Sequence, residues 1–276
     1  KAAGWDRAPD TFADIIQLSK DMKAKGIAMA TYGTVPNTPS LANWLGQLGS
    51  YVVNNSNGSD ATATKLACIE NGALKTFLTE WKALYDAGAL QNKSLSTNQF
   101  VAGEVAIITG SSSTINSLLS KVGGKFEVGA STFLRVNASA QHGATVSGSC
   151  LVMFDSNDAL RKAATWEFIK YMTGEKVQAD FAAGTGYTPG YKAAVDNASY
   201  KNLLATTPQF AVAPAQLAKT PASMRSVTVG PTVDFYYAIQ NEVTDMLNKG
   251  KTVDETVKSM ETSLQGLLDN YLRTNR

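Results

Sequence analysis

Few residues in this sequence of 276 could support catalysis or metal binding. The single histidine, His142, lies in a Gln-His-Gly segment, and the cysteines, Cys68 and Cys150, belong to no CxxC pair. A zinc site takes several such ligands, and a Ser-His-Asp triad would have to use His142 without a GxSxG motif to supply its serine. Each cysteine lies in an apolar run, which predicts a buried thiol, although a disulfide between the two stays open. We therefore expect no metal site.

Phosphate-binding motifs are also missing from the sequence. There is no GxxxxGK[ST] motif, and the glycines of Gly184-Thr185-Gly186 follow a predicted helix, whereas a dinucleotide-binding glycine motif follows a strand. A carboxylate pair for glycoside hydrolysis is not excluded by spacing, but most carboxylates fall on predicted helix faces, where solvated or ion-paired roles are usual. We therefore expect a protein that is not an enzyme, has no catalytic residues and uses no cofactor.

Charge and hydropathy argue against two further classes of function. The net charge is +2, from 25 basic and 23 acidic residues, and no run of basic residues exceeds two. A nucleic-acid-binding protein usually concentrates positive charge on one face, which the sequence does not suggest. A membrane-spanning helix needs about 20 consecutive apolar residues, and no stretch approaches that length.

Hydrophobic periodicity and turn residues predict short buried strands that alternate with helices, which places the chain in the α/β class. The strands are expected at Ile27–Tyr32, Val105–Thr109, Phe126–Gly129 and Cys150–Phe154. The helices are expected at Phe12–Gly26, Leu41–Leu48, Asn71–Ala87, Thr97–Ala102, Thr114–Lys121, Asp158–Met172, Glu175–Ala183, Asn197–Ala205, Gln209–Ala218, Val233–Leu247 and Val253–Leu272. The polar cluster Asn54–Asp60 is typical of a hairpin tip.

One polar segment follows a predicted strand and opens a predicted helix. In it Gly110 precedes Ser111, Ser112, Ser113 and Thr114. Their hydroxyls and backbone N–H groups could bind a ligand oxygen at the helix N-terminus, or they could form the cap of that helix. The residues alone leave both roles open.

Five segments, taken in order, resemble those of a known protein family. They are Pro9–Gly26, Phe100–Ile107, Ala164–Met172, Gly186–Pro189 and Gly250–Glu255. These segments are similar to elements of the family 1 extracellular solute-binding proteins of ABC transporters, which include the maltose-binding and glycerol-3-phosphate-binding proteins. The resemblance begins partway into the family pattern, so we predict that the chain is a fragment that lacks the N-terminal segment of the family.

The resemblance implies a periplasmic-binding-protein-like α/β fold of the type II kind, with two lobes joined by a hinge and an incomplete N-terminal lobe. Residues 1–148 are expected to form the first segment of the C-terminal lobe. Residues 149–204 are expected to return to the N-terminal lobe, and residues 205–276 to complete the C-terminal lobe. Members of the family bind a solute in the interlobe cleft and close around it by hinge motion.

The resemblance also implies a set of ligand-binding residues. They are Trp44, Ser111, Ser112, Ser113, Gly148, Ser149, Tyr187, Arg225 and Tyr236. Aromatic planes pack on the C–H groups of a sugar ring, and sugar hydroxyls need well-placed hydrogen-bonding groups. Core packing for Trp44 and packing on the surface for Tyr187 are the alternative roles.

Tyr236 leads to an expectation about the ligand. Glycerol-3-phosphate binders hold the phosphate with an arginine at the matching position, and a phenol cannot replace a bidentate arginine. The resemblance therefore implies a carbohydrate ligand, an oligosaccharide or a polyol. A glycerophosphodiester or other anion, with Arg225 as its partner, is the alternative ligand, and a sensor or adhesion lobe without a transport role is the alternative function.

The family role implies partners and a location as well. The expected partners are a small-molecule solute, most simply a sugar, and the ABC permease subunits in the membrane. The protein is expected to be a monomer with no nucleic-acid partner. It is expected to be extracytoplasmic, either in the periplasm or lipid-anchored at the cell surface.

Overall fold

A parallel sheet lies at the start of the chain in the computed structural model, which describes residues 1–93 and 97–275. Its strands are β1 (Ala30–Gly33), β2 (Leu90–Gln91) and β3 (Val105–Ile107), in the order β2-β1-β3. Tyr32 of β1 is in register with Leu90 on one side and with Ile107 on the other. The predicted strands at Ile27–Tyr32 and Val105–Thr109 are therefore present in shortened form.

Helices surround these strands along the first 109 residues. They are α1 (Phe12–Ala24), α2 (Thr38–Gln47), α3 (Asn54–Gly58), α4 (Ala67–Glu70), α5 (Ala73–Asp86) and α6 (Thr97–Val101). The start of α1 is fixed by a capping box, in which Thr11 accepts from the backbone of Asp14 and the Asp14 carboxylate accepts from the backbone of Thr11. Asn37 and Ser40 form the same arrangement at the start of α2.

The rest of the chain is helical apart from its connecting segments. Its helices are α7 (Ile115–Val122), α8 (Ala159–Met172), α9 (Glu175–Thr185), α10 (Lys192–Asp196), α11 (Ala198–Thr206), α12 (Val212–Lys219), α13 (Thr232–Lys249) and α14 (Val253–Thr274). A capping box of Thr252 and Glu255 begins α14. None of the described helices is long and apolar enough to cross a membrane.

The chain divides into two compact units. The first unit comprises Lys1–Thr109, Thr132–Val146 and Gln216–Arg276, and the second comprises Gly110–Ser131 and Ser147–Ala215. The chain leaves the first unit after Val146 and enters the second at Ser147, close to the boundary expected between residues 148 and 149. The segment Gly110–Ser131 lies in the second unit, whereas the lobe prediction groups it with the rest of residues 1–148. The match between these units and the two lobes of the family stays a prediction.

The core of the first unit is an aromatic cluster. Trp44 stacks on Phe77 at 5.1 Å between ring centroids, and Trp81 lies 4.9 Å from Trp44 and 5.4 Å from Phe12. Apolar side chains of α13 and α14 complete this core. Full burial of a side chain such as Phe12 stabilises the fold by roughly 1.5–3 kcal/mol, so this cluster is a main source of the unit's stability.

The second unit has a much smaller core and exposes large apolar side chains. Its buried cluster consists of three alanines and Tyr200. The exposed side chains include Leu151, Val152, Met153 and Phe154, followed on α8 by Leu160, Trp166, Phe168 and Tyr171. Val152 is 72% exposed and Phe154 is 87% exposed. This stretch from Leu151 to Tyr171 is called the apolar surface below.

Four local predictions were wrong. The segments 126–129 and 150–154 form no strand, because no other described strand lies beside them to pair with. The cluster at 54–60 is not a hairpin tip, since Asn55, Ser56 and Asn57 adopt left-handed backbone angles with φ of 55°, 54° and 59°. The prediction of two buried thiols holds for Cys68, whose pKa burial raises to about 12, but Cys150 is exposed. Both are free thiols.

Candidate functional site

The described residues contain no cluster of histidine, cysteine or carboxylate side chains that could hold a metal ion. His142 is half-exposed, and its Nδ1 lies 4.0 Å from an Asp10 carboxylate oxygen. Asp10 is also the partner of Arg135, whose guanidinium donates to the Ala138 carbonyl oxygen at 2.9 Å. The single histidine thus lies beside the Asp10–Arg135 ion pair, and it is Arg135 that holds the segment around residue 138.

In the second unit the serine segment forms a cap. The Ser111 hydroxyl accepts from the Ser113 backbone at 3.4 Å and contacts the Ser113 hydroxyl at 2.9 Å. Thr114 Oγ1 donates to the Ser111 carbonyl oxygen at 2.8 Å. Of the two roles left open by the sequence, capping is therefore present. The exposed Ser111 and the half-buried Ser112 and Ser113 remain candidates for a ligand contact.

The loop that carries Tyr187 packs against this serine segment. Asn116 Nδ2 donates to the Gly184 carbonyl oxygen at 2.7 Å. Gly186 has a φ of 89°, and a Cβ at this position would lie 2.4 Å from the Ser112 carbonyl oxygen. Tyr187 is half-buried, with its ring 5.7 Å from that of Phe181. The structure thus brings the candidate residues of the serine segment and Tyr187 onto one part of the second unit.

Gly148 and Ser149 lie in an extended segment without helix or strand. Both residues are exposed. Among the described residues, no hydrogen bond or ion pair links them to the serine segment or to Tyr187, so their role in ligand binding stays a prediction.

In the first unit Tyr236 lies near the start of α13 and is oriented by two contacts. Its hydroxyl accepts from Asn37 Nδ2 at 3.4 Å, and its ring meets that of Tyr237 edge to face at 5.4 Å. Tyr236 is half-buried, whereas Tyr237 is 58% exposed. Asn37 was not predicted as a site residue. The only sequence signal at Asn37 is its position after Pro36, which suits a helix cap. As the cap of α2 its Oδ1 accepts from the Ser40 backbone, and its Nδ2 is left to donate to Tyr236.

Trp44 has the core role that the sequence left open. Its side chain is 1% exposed, and its Nε1 donates to the Leu134 carbonyl oxygen at 3.1 Å. Its ring stacks on that of Phe77 at 5.1 Å between centroids and lies 5.2 Å from that of Phe133. The structure therefore leaves no free ring face at Trp44 for a sugar to pack on.

Arg225 is exposed and lies on the segment that leads to α13. Its backbone carbonyl oxygen accepts from Asn57 Nδ2 at 2.7 Å. Among the residues that the structure describes, none makes an ion pair or hydrogen bond with the Arg225 guanidinium. Sequence reasoning missed this contact of Asn57, because Asn57 lies far from Arg225 along the chain.

Comparisons with known proteins agree with the resemblance drawn from the sequence. A family model described as "Bacterial extracellular solute-binding protein" matches residues 1–209. The sn-glycerol-3-phosphate-binding periplasmic protein UgpB of Yersinia pseudotuberculosis is 24% identical over 225 residues, which cover 80% of this chain and 51% of the relative. UgpB of Yersinia enterocolitica is 20% identical over 275 residues, covering 98% of this chain and 63% of the relative. The chain thus spans between about half and two thirds of the length of these curated relatives.

Solved structures show the same fold. UgpB from Mycobacterium tuberculosis, in complex with glycerophosphocholine, has a TM-score of 0.76 at 20% identity and matches 98% of this chain and 66% of that protein. The cyclic alpha-maltosyl-1,6-maltose binding protein from Arthrobacter globiformis has a TM-score of 0.75 at 17% identity, with 98% and 67% covered. The fold is therefore that of periplasmic binding proteins, and the chain belongs to the bacterial extracellular solute-binding protein family.

Proposed function

We propose that this chain provides ligand-binding surface for the solute-capturing component of a bacterial ABC importer, and that the solute is a carbohydrate, either an oligosaccharide or a polyol. Family membership supports the capture role. Similar structures include proteins solved with maltose and with alpha-D-tagatose, which supports a sugar for this chain. The protein works as a monomer without catalysis and delivers its solute to the permease from the periplasm or from a lipid-anchored position.

The observation that carries the proposal is the tyrosine pair at the start of α13. Asn37 and Tyr237 hold the Tyr236 ring in one orientation while part of that ring stays exposed. A held aromatic plane suits the C–H face of a sugar ring, and the phenol hydroxyl adds a donor and an acceptor for sugar hydroxyls. A neutral aromatic surface of this kind offers no charge for a phosphate.

Hydroxyl and backbone N–H groups of the second unit are the polar groups that we expect to bind the sugar. Ser112 and Ser113 are half-buried next to the loop of Tyr187. Such groups at the start of a helix bind ligand oxygens well, because the backbone N–H groups there point outward. We propose that these residues recognise sugar hydroxyls.

The test measures the melting temperature with maltose, sorbitol and glycerophosphocholine as probes. A ligand at 100 times its Kd adds about 2.7 kcal/mol of stability, which raises the melting temperature by a few degrees. We expect shifts with the neutral sugars and a loss of the shift in Tyr236→Ala. The matched control is Tyr171→Ala, which removes an exposed tyrosine of α8. Equal shifts in wild type and Tyr236→Ala would contradict the role of Tyr236.

A glycerophosphodiester is the second candidate ligand, and one observation favours it. Arg225 presents an exposed guanidinium that has no partner among the described residues, and such a group pairs well with a phosphate. A melting shift with glycerophosphocholine alone, abolished in Arg225→Gln, would replace the carbohydrate proposal by this one.

A further inference from the structure

The left-handed turn at α3 is the most unusual backbone of the first unit. Asn55, Ser56 and Asn57 have φ/ψ of 55°/47°, 54°/52° and 59°/34°, three consecutive residues in a region that L-amino acids rarely occupy. Strained backbone of this kind persists only where the surrounding contacts hold it, and it is often associated with function.

The contacts that hold the turn converge on Asn57. Its side chain is 1% exposed, and its Oδ1 accepts from the backbone N–H groups of Val52 at 2.7 Å and Val53 at 3.2 Å. Its Nδ2 donates to the Arg225 carbonyl oxygen at 2.7 Å. Its own carbonyl oxygen accepts from the Thr228 backbone at 2.8 Å. Asn57 therefore ties residues 52 and 53 to residues 225 and 228.

A close approach of backbone to backbone reinforces this tie. Gly58 has a φ of 78°, and a Cβ there would lie 2.0 Å from the Thr228 carbonyl oxygen. Only glycine fits at such a distance and with such a φ. The turn thus holds the segment 225–228 at both of its ends.

We propose that Asn57 is a positioning residue for ligand binding. It fixes the backbone of residues 225–228 and so determines where the Arg225 guanidinium and the start of α13, with Tyr236, are presented to a ligand. Asparagine suits this role because it combines an acceptor, a donor and tolerance of left-handed angles. This inference rests on the proposed function.

The test compares Asn57→Asp with Asn55→Asp in the full chain. Aspartate at position 57 keeps the acceptor for Val52 and Val53 but loses the N–H donor to Arg225. The control makes the same chemical change in the same turn, at an amide that donates to the Thr62 carbonyl oxygen at 2.8 Å. Two quantities are measured: amide hydrogen exchange at Thr228, and the Kd for maltose and for glycerophosphocholine by calorimetry.

We expect Asn57→Asp to speed amide exchange at Thr228. We also expect it to raise the Kd of whichever of the two probes the wild type binds by about threefold to tenfold, the usual effect of one lost hydrogen bond. Asn55→Asp should change neither quantity. If Asn57→Asp does not fold, Asn57→Gly serves instead, because glycine adopts the left-handed backbone while removing all the side-chain bonds.

Two results would overturn the inference while leaving the proposed function intact. One is unchanged exchange at Thr228 in Asn57→Asp and Asn57→Gly, and the other is faster exchange with an unchanged Kd. If the wild-type chain binds neither probe, the positioning role fails, whereas the proposed function is judged separately by the melting shift with sorbitol.

Discussion

Asparagine side chains link distant segments of the first unit. Asn37 donates to Tyr236, Asn57 donates to the Arg225 carbonyl, and Asn43 Oδ1 accepts from the Thr145 backbone at 2.7 Å. An amide side chain can do this because it carries both a donor and an acceptor. These three residues therefore connect α2 and the turn of α3 to segments that lie about 100 to 200 positions further along the chain.

The Asp14 carboxylate makes stability depend on pH. The hydrogen bond from Arg7, followed by those from the backbones of Asp10 and Thr11, lowers the pKa of Asp14 from 3.8 to about 2. A pKa that is lower in the folded state stabilises the fold above the unfolded pKa, and this stabilisation is lost as the pH falls from about 4 to about 2. Urea unfolding between these pH values should therefore show a falling free energy of unfolding, with a shallower fall in Arg7→Gln.

The control for this titration is Arg273→Gln. Arg273 donates to the neutral Asn270 at 2.8 Å, so this change removes an equal charge without touching a carboxylate. Its pH dependence should match that of the wild type. The same slope in Arg7→Gln and Arg273→Gln would show that Arg7 does not lower the pKa of Asp14.

Residue roles were only partly predictable from the sequence. The start of α1 carries a local signal, because the capping box of Thr11 and Asp14 is formed by residues three positions apart. Trp44 was ambiguous, because a tryptophan after a loop suits both a ligand site and a core, and only the positions of Phe77 and Trp81 decide between them. Asn57 was unpredictable, since its partners near residue 225 are far away in sequence.

At the scale of elements, the contact between the Tyr187 loop and the serine segment depends on Gly186. An alanine there would combine a φ of 89° with a Cβ 2.4 Å from the Ser112 carbonyl oxygen. We expect Gly186→Ala to destabilise the second unit by roughly 1–3 kcal/mol, as left-handed strain at a non-glycine residue does. Calorimetric melting measures this loss.

The matched control is Gly184→Ala in the same helix end. Gly184 is exposed within α9, and a Cβ there would meet no atom within 4 Å. Alanine should be neutral or more stable by up to about 1 kcal/mol, because it favours a helix over glycine. If both variants melt alike, Gly186 is not required for the contact.

Helices were predicted better than strands. The apolar stripe of α5 and the capping box of α14 are local signals, and both helices lie where they were expected. The segment Cys150–Phe154 has the composition of a buried strand, but a strand also needs a neighbour to pair with, and the sequence does not provide that information. The left-handed turn of α3 has the polar composition of many ordinary turns, so composition alone could not identify it.

For the whole molecule, we expect the apolar surface of the second unit to influence behaviour in solution. Apolar patches of this kind promote association or dye binding. We expect the chain to bind the fluorescent dye ANS, and the double variant Val152→Thr and Phe154→Thr to bind less of it. The control is Leu217→Ser in α12, which is 40% exposed and should leave the signal unchanged. Equal fluorescence in the wild type and the double variant would mean that the surface is covered in solution.

The family and fold class were predictable because ordered segments along the whole chain carry them, and the comparisons confirm both. The exact division of the chain into two units was not predictable from the sequence. Gly110–Ser131 joins the second unit through contacts such as Asn116 with Gly184, which connect positions far apart in sequence. Local sequence patterns do not encode contacts between such distant positions, so the sequence around residue 110 did not indicate that the chain changes unit there.

The composition of the first unit from three chain segments has a consequence for biosynthesis. Phe235 and Ile239 of α13, with Leu264 and Leu268 of α14, complete the core that α1, α2 and α5 begin. Contacts between distant parts of a chain form late, and domains fold as units during translation. The core around α5 therefore stays incomplete until α13 and α14 have been synthesised and can pack on it.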